Sequence, residues 1–480
     1  MHARKVAGEA AALSAASRTE DEGPVQSQNP GSADQAARAA VTGLLIAAPA
    51  LMCFHGLGSC AVDPDVGWQL QSAVWMLQHH AFPHTDPFSR TETGVAWQDY
   101  SWLFDLMLLK LYAWLSLDGL VLYVAAMAAA IAAAIYRLVS RVQTDFTICV
   151  LLTVAALVSV SRDFTPRPWL FTILFFALEL DILMQFRRTR RARILLWLPP
   201  LFALWGNIHI QFIDGLLVLG IAACEPLFAR WAKWGDHPET ARPLWLALAA
   251  SAAAPLLNPY GIGIYRDAWI MGSQPGVLTT VSEMHALAFR SAGDYLLLFL
   301  ALAATALLFR QRRPAPFETL LLAMSAVLSF RSQRDAWILA IVAVALIAEC
   351  LWPSDGEPAT TPAWTLPVTL AVTAAVCVAG FFGLHVTNAR MRALQAKELP
   401  VQASRWSGSG TIQDRSSTTT TGAAISSGSL ASRYPSTAAR GSTATPASVA
   451  RCRPGAAART GPRTRRCSPL IWSSPRSAPR

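Results

Sequence analysis

Long apolar runs without charge recur along the chain from about residue 40 to residue 385. Most are close to the ~20 residues that a helix needs to cross the apolar core of a bilayer. In lipid the backbone must satisfy its own hydrogen bonds, which favours helices. The pattern predicts an all-α fold, a polytopic transmembrane helix bundle of about eleven spans. The predicted spans are residues 40–61, 118–136, 145–162, 168–186, 194–208, 211–229, 243–257, 294–309, 316–330, 335–352 and 366–385.

One of these runs is ambiguous. Residues 194–208 form a short run that contains Pro199 and Pro200. Proline removes a helical hydrogen bond and clashes with the preceding turn. A re-entrant segment at this position, with ten spans in all, therefore stays an alternative.

Lysine and arginine positions predict the orientation. Cytoplasmic loops carry an excess of these residues, and alternate loops of this chain hold them. The basic loops contain Arg137 and Arg141; then Arg187, Arg188, Arg190, Arg191 and Arg193; then Arg230, Lys233 and Arg242; then Arg310, Arg312 and Arg313. The N-terminus is accordingly predicted inside. The loops 62–117 and 258–293, and the chain after about residue 386, are predicted outside.

The first outer loop, residues 62–117, has helical patterns of its own. Val66, Leu70, Val74 and Leu77 recur at helical spacing within residues 66–80, which predicts an amphipathic surface helix. Residues 100–116 are apolar but interrupted by Asp105 and Lys110. This segment predicts a second interfacial helix rather than a span.

Composition supports the membrane interpretation. Hydrophobic residues make up 53% and charged residues 15% of the chain, and the mean hydropathy is +0.35, whereas soluble domains carry about 25% charged residues. The net charge of +10 lies in the tail, where residues 405–480 hold twelve Arg and one acid, a net +11 that leaves −1 for the rest. The basic balance therefore predicts no nucleic-acid partner. Residues 1–38 are predicted to be a disordered cytoplasmic arm.

Residues 391–480 are predicted to be a disordered outer tail, and from about residue 405 its composition suggests translation out of frame. Abundant Arg without Lys is typical of GC-rich DNA read in a wrong frame. One set of codons allowed by residues 417–429, read one base earlier, encodes FNDYDWGGYLIWQ. The nucleotide sequence of the gene decides this hypothesis. If it holds, the product lacks its outer domain.

Polar groups at membrane level are costly and are candidates for function. Asp63 and Asp65 form an Asp-Pro-Asp motif where the first span emerges. Two such carboxylates could act as a general base and its orienting partner, or hold a divalent cation. The alternative is a pair of solvated acids. Asp86 could orient the base or bind an acceptor; the alternative is a turn residue before Pro87.

The first outer loop resembles that of the C-type integral-membrane glycosyltransferases of bacteria. The likeness rests on an ordered set of motifs over residues 39–390: Asp63-Pro64-Asp65, Trp68, Phe82-Pro83-His84-Thr85-Asp86-Pro87-Phe88-Ser89, Gly94-Val95-Ala96-Trp97, Trp102-Leu103, Arg167-Pro168-Trp169, Trp205-Gly206-Asn207-Ile208-His209, Asn258-Pro259-Tyr260-Gly261 and Arg331 to Arg334. The chain departs from the group's pattern at Gln69, at Met284, and at Ile210-Gln211. These departures concern substrate choice and activity.

The resemblance implies transfer of a sugar from a polyprenyl-phosphate donor to an acceptor on the outer face of the bacterial inner membrane. Asp63 or Asp65 would be the base. Outer-end cations would bind the donor phosphate, since Arg pairs well with phosphate oxygens. The candidates are Arg162, Arg167, His209, Arg331 and Arg334.

Other interpretations remain open for these residues and for the chain. The arginines could anchor lipid headgroups or pair with Asp163 and Asp335, and His209 could be a hydrogen-bonded histidine inside the membrane. The acceptor could be a glycan, a lipid or a protein. A transporter or flippase of a lipid-linked or polar solute, or a non-catalytic membrane protein, would also use such residues.

Overall fold

The computed structural model describes residues 31–61, 63–89, 94–233, 241–273, 281–310, 315–351 and 362–398. They all belong to one compact unit, residues 1–436. Every regular element in this described part is helical. The α-helices are α1 Ser32–His55, α2 Leu57–Ala61, α3 Asp65–His79, α4 Trp102–Leu115, α5 Leu117–Ser140, α6 Phe146–Val160, α7 Trp169–Thr189, α8 Leu198–Ile208, α9 Phe212–Ala232, α10 Ala241–Ala253, α11 Gly263–Ser273, α12 Ala292–Arg310, α13 Pro316–Arg331, α14 Ala336–Leu351, α15 Thr365–Gly383 and α16 Asn388–Glu398.

Seven helical segments in the described residues are long and apolar enough to cross a membrane. They are α1, α5, α6 with the turn that follows it, α7, α9, α12 and α15. The all-α membrane class predicted from the apolar runs is therefore confirmed. Each of the other predicted spans is also occupied by helix, but α10, α13 and α14 are shorter.

The ambiguous run is a broken helix. A 3-10 segment, Ala192–Trp197, leads into α8, whose first turn holds Pro199 and Pro200. Proline fits the first turn because those N–H groups have no helical partner. The prolines thus begin a new helix here, and α8 has only 11 residues.

The helix α14 is the centre of the bundle. Every residue from Ala336 to Ala348 is buried, and α5, α6, α7, α12 and α13 pack around it. A helix that is apolar all round is favoured where neighbours cover every face. At the edge of the bundle, α15 packs along α1.

The first and last helices of the described chain, α1 and α16, extend into ranges predicted to be disordered, residues 1–38 and 391–480. The helix α1 begins at Ser32, and an Asp34–Arg38 ion pair of 2.9 Å spans its first turns. After α15, α16 covers residues 388–398: the Asn388 amide bonds the Asp118 carboxylate at 2.9 Å, and Met391 is fully buried. These contacts order both segments. The proposed frame change at about residue 405 lies outside the described residues.

Both helices predicted in the first outer loop are present as α3 and α4. In α3, Val66, Leu70 and Val74 are buried within the protein, and Leu77 is 55% exposed. The buried face of α3 also includes Gln69. It packs against α4, which in turn contacts α5.

Candidate functional site

An open cavity of about 600 Å³ lies at one end of the bundle, where α6 ends and α7, α12 and α14 begin. Its walls combine arginines, acids and one tryptophan. The lining residues are Arg162, Asp163, Thr165, Arg167, Trp169, Glu283, Ala288, Arg290, Ser291, Asp294, Gln333 and Arg334. The cavity therefore joins three of the five predicted phosphate ligands.

Arg167 is the hub of the site. Its Nε lies 2.8 Å from Asp63 Oδ2, and its Nη1 lies 2.6 Å from Asp65 Oδ2 and 3.4 Å from Glu283 Oε1. The tight turn before α7 holds the residue, since the Arg167 carbonyl accepts a hydrogen bond of 2.8 Å from Tyr123. One guanidinium thus joins the start of α3, the start of α7 and the loop before α12.

The two motif carboxylates differ in exposure. The Asp63 side chain is 3% exposed, and its Oδ1 accepts the backbone N–H of Asp65. Burial raises the pKa of Asp63, although Arg167 opposes the shift. The Asp65 side chain is 28% exposed. Neither aspartate lines the cavity itself, and both are connected to it through Arg167.

Arg334 offers unused hydrogen-bond donors to the cavity. Its guanidinium stacks on the Trp169 ring at 4.8 Å, and Arg167 lies over the same ring at 4.7 Å. The Arg334 Nη1 is 3.8 Å from Glu283, and its buried Nε has no hydrogen-bond partner in the described residues. The positive charge of Arg334 at this wall would attract an anion in the cavity.

Arg162 and Arg290 complete the basic lining. Arg162 is held by Asp294 at 2.5 Å. The Arg290 side chain is exposed, and only its backbone N–H is bonded to Asp294. Among the described arginines that line the cavity, Arg290 and Arg334 are those whose guanidinium groups make no hydrogen bond.

Besides Asp63 and Asp65, three further predicted site residues lie outside the cavity lining. Asp86 caps a turn, because its Oδ1 accepts the backbone N–H groups of Phe88 and Ser89 at 2.8 and 3.0 Å. Burial alone would raise the pKa of Asp86, but these hydrogen bonds outweigh it and lower the pKa. His209 is buried, with Nδ1 2.8 Å from Thr172 Oγ1, and Arg331 is exposed at the end of α13.

A divalent cation does not fit the Asp63–Asp65 motif in this arrangement. Both carboxylates face the Arg167 guanidinium, which would repel a metal ion at the same place. In the part of the chain that the structure describes, no cluster of three or more His, Cys, Asp or Glu side chains is arranged to hold a metal. No step is therefore assigned to a metal.

Sequence reasoning missed Glu283 and Arg290 as site residues. Both belong to residues 258–293, predicted to form an outer loop, far along the chain from the motif. Glu283 lies between Arg167 and Arg334, and Arg290 lines the same wall. Charged residues in an outer loop carry no signal of this convergence. The packing of α12 beside α6, and of the turn Ser282–Met284 against the turn Gln333–Asp335, brings them to the cavity.

Comparison with known proteins gives no match, either to a protein-family model or to a curated protein sequence.

Proposed function

We propose that the chain is a C-type glycosyltransferase-like protein of the bacterial inner membrane that transfers a sugar from a polyprenyl-phosphate donor to an acceptor on the outer face. The observation that carries the proposal is the cavity in which Arg290 and Arg334 present free donors beside the Asp63–Arg167–Asp65 cluster. The proposal includes eleven membrane passages, with the N-terminus inside and the cavity outside.

The donor phosphate would bind to Arg334 and Arg290. Guanidinium groups match phosphate oxygens with paired hydrogen bonds. Arg162 and Arg167 are already engaged by carboxylates, so they fit a role in fixing the site rather than in first contact with the donor. The acidic side chains among the arginines would lower the affinity of the cavity for free phosphate.

Asp65 would take the acceptor proton, because it is the more exposed carboxylate of the motif. The acceptor oxygen attacks the anomeric carbon while the bond from that carbon to the phosphate oxygen breaks. The acceptor hydroxyl proton passes to Asp65, and polyprenyl phosphate leaves with its negative charge against Arg334 and Arg290. Asp63 would orient Arg167 and, through it, Asp65.

Binding is tested first, with undecaprenyl phosphate as the probe and the full chain in detergent. Arg334→Gln and Arg290→Gln should each weaken binding about 10- to 100-fold, the effect of one lost charged hydrogen bond. Arg266→Gln, on exposed α11, is the matched control and should bind as the wild type does. Undecaprenol without phosphate distinguishes recognition of the phosphate from recognition of the lipid chain.

Transfer is tested next, with a radiolabelled polyprenyl-phosphate hexose and a bacterial envelope extract as the acceptor source. Asp65→Asn should lower the transfer rate about 10²- to 10⁴-fold, as for a lost general base. Glu283→Gln is measured beside it, because Glu283 lines the cavity. Unchanged transfer in both Asp63→Asn and Asp65→Asn would refute the base assignment. Wild-type binding of undecaprenyl phosphate by Arg334→Gln and Arg290→Gln would refute the donor site.

A further inference from the structure

A second polar site lies inside the bundle, away from the cavity lining. Glu179 is at the middle of α7, a helix of 21 residues that is among the seven able to cross a membrane. Its side chain is 0% exposed, and both carboxylate oxygens have no hydrogen-bond partner in the described residues. An ionisable side chain at mid-membrane is costly and marks a functional site.

Two other carboxylates buried in the apolar helices have cationic partners. Asp181, two residues further along α7, binds Arg137 at 3.0 Å and Arg141 at 3.1 Å. Glu225 is paired with Arg187. In the described part of the chain Glu179 faces no cation, and its charged neighbour is the acid Asp214. An unpaired buried carboxylate is strongly destabilising, so this group is favoured there only when it is protonated or lies beside a cation.

The local packing leaves room for that carboxylate. A Cβ built on Gly215 of α9 would lie 2.5 Å from Glu179 Oε2 and 2.7 Å from the Trp205 ring. Glycine is therefore the residue that lets α9 approach α7 at this level. The carboxylate of Glu179 is thus held directly beside Gly215, the residue after Asp214.

A chain of polar groups connects this place with the cavity. The Gln211 amide donates to Asp335 Oδ1 at 2.9 Å and to Asp214 Oδ2 at 3.4 Å, while its buried Oε1 has no partner in the described residues. Asp335 follows Arg334, which lines the cavity. The charged groups facing Asp214 are thus Glu179, Asp335 and Arg334.

We propose that Glu179 and Asp214 form a buried site for one small monovalent cation, a proton or a sodium ion, reached from the outer cavity by way of Asp335 and Gln211. The shared chemistry is that of two carboxylates and an amide oxygen, of which both Glu179 oxygens and Gln211 Oε1 have no hydrogen-bond partner in the described residues. The inference does not depend on sugar transfer and would hold equally for a transporter.

Carbodiimide labelling is the first test. Dicyclohexylcarbodiimide reacts with protonated carboxyl groups in apolar surroundings: the acid O–H adds across one C=N bond, and the product rearranges to an N-acylurea without a leaving group. Mass spectrometry of the full-length wild type should find the adduct on Glu179. It should find none on Glu225, which is also buried but is paired with Arg187.

Salt exchange distinguishes the two cations. If the ion is sodium, replacing KCl by NaCl at constant ionic strength should reduce labelling about tenfold at ten times the dissociation constant. If it is a proton, labelling should be the same in both salts and fall as pH rises. Asp214→Asn should change the extent of labelling in either case.

A second measurement tests the proposal if the carbodiimide does not reach Glu179. The infrared spectrum of the wild type minus that of Glu179→Gln should show a protonated-carboxyl band in KCl, or NaCl should raise the unfolding temperature of the wild type and not of the variant. The proposal is overturned if Glu179 takes no adduct, the difference band is missing and NaCl has no Glu179-dependent effect.

Discussion

At the scale of single residues, the site depends on how buried charges are paired. Arg167 satisfies three carboxylates at once and stacks on Trp169. Removing one partner of a buried ion pair costs far more than the pair itself contributes, because the other charge stays buried. The Asp63–Arg167 pair should behave in this way, since Asp63 is almost fully buried.

The first prediction concerns this pair. Arg167→Met should destabilise the protein by about 3–5 kcal/mol, because Asp63 would keep a buried charge without its cation. Adding Asp63→Asn should restore part of the loss, with a coupling energy of about 0.5–3 kcal/mol. Unfolding in detergent, followed by intrinsic fluorescence, measures both values. Strictly additive effects of the two substitutions would contradict the assigned pairing.

The second prediction concerns a pair of buried acids within residues 62–117. Asp99 and Asp105 are close enough to interact. The Asp99 carboxylate accepts hydrogen bonds from the Ser72 hydroxyl and from the Ser101 backbone N–H. Burial raises the pKa of Asp99 and raises that of Asp105 well above its usual range. The neutral form of Asp105 is therefore favoured in the folded state.

The sign of the pH effect follows from this shift. A raised acid pKa contributes stability that is fully present below the ordinary value of about 4 and is lost as pH rises through the raised value. Wild-type unfolding temperature should fall across that window, and Asp105→Asn should flatten the dependence. An unchanged pH profile in Asp105→Asn would contradict the assignment.

At the scale of elements, close helix packing depends on small residues. Thr373 donates to the Gly43 carbonyl at 3.1 Å, and Thr369 donates to the Ala39 carbonyl at 3.1 Å, so α1 and α15 are joined by side-chain hydrogen bonds to backbone. Small residues at such contacts let membrane helices approach closely. A Cβ on Gly43 would lie 2.8 Å from Val372 and 2.9 Å from the Thr369 carbonyl.

The third prediction compares two glycines. Gly43→Ala should lower the unfolding temperature, because the helix α15 must move away. Gly220→Ala, in α9, should leave it unchanged or raise it, since nothing lies within 4 Å of its added Cβ and alanine favours helix by about 1 kcal/mol. Equal tolerance of both changes would show that α1 and α15 are not closely packed.

At the scale of the whole molecule, the arginines at the two ends of the bundle differ in whether their guanidinium groups are paired with carboxylates. At one end, Arg187 is paired with Glu225 and covers the Phe317 ring at 4.5 Å, in a closed arrangement. At the other end, Arg290 and Arg334 keep free donors around an open cavity. The proposed orientation places the closed arrangement in the cytoplasm and the cavity outside.

The fourth prediction tests that orientation. In a Cys452→Ser and Cys467→Ser background, Ser291→Cys should react with a membrane-impermeant maleimide on intact spheroplasts. Arg190→Cys, in the turn after α7, should react only after permeabilisation. Six remaining cysteines are buried or half-buried, and the background protein measures their labelling. The reverse pattern would invert the proposed topology.

The sequence by itself determined the class of the molecule and most helix positions, because uncharged runs of membrane length have no stable alternative in lipid. It also indicated Asp63, Asp65, Arg162, Arg167 and Arg334 as costly groups at helix ends. The sequence did not indicate which residues these groups contact. The hub role of Arg167, the place of Glu283 and the turn-capping role of Asp86 depend on contacts across distant parts of the chain.

The tertiary structure alone decided which charges are paired and which are not. Along the sequence, Glu179 and Asp181 are two acids on one apolar helix, with nothing to separate them. Successive residues of a helix point about 100° apart, so the two side chains meet different neighbours. Asp181 meets two arginines, and Glu179 meets Gly215 and Asp214. Pairing is set by packing, which a one-dimensional pattern of charge does not contain.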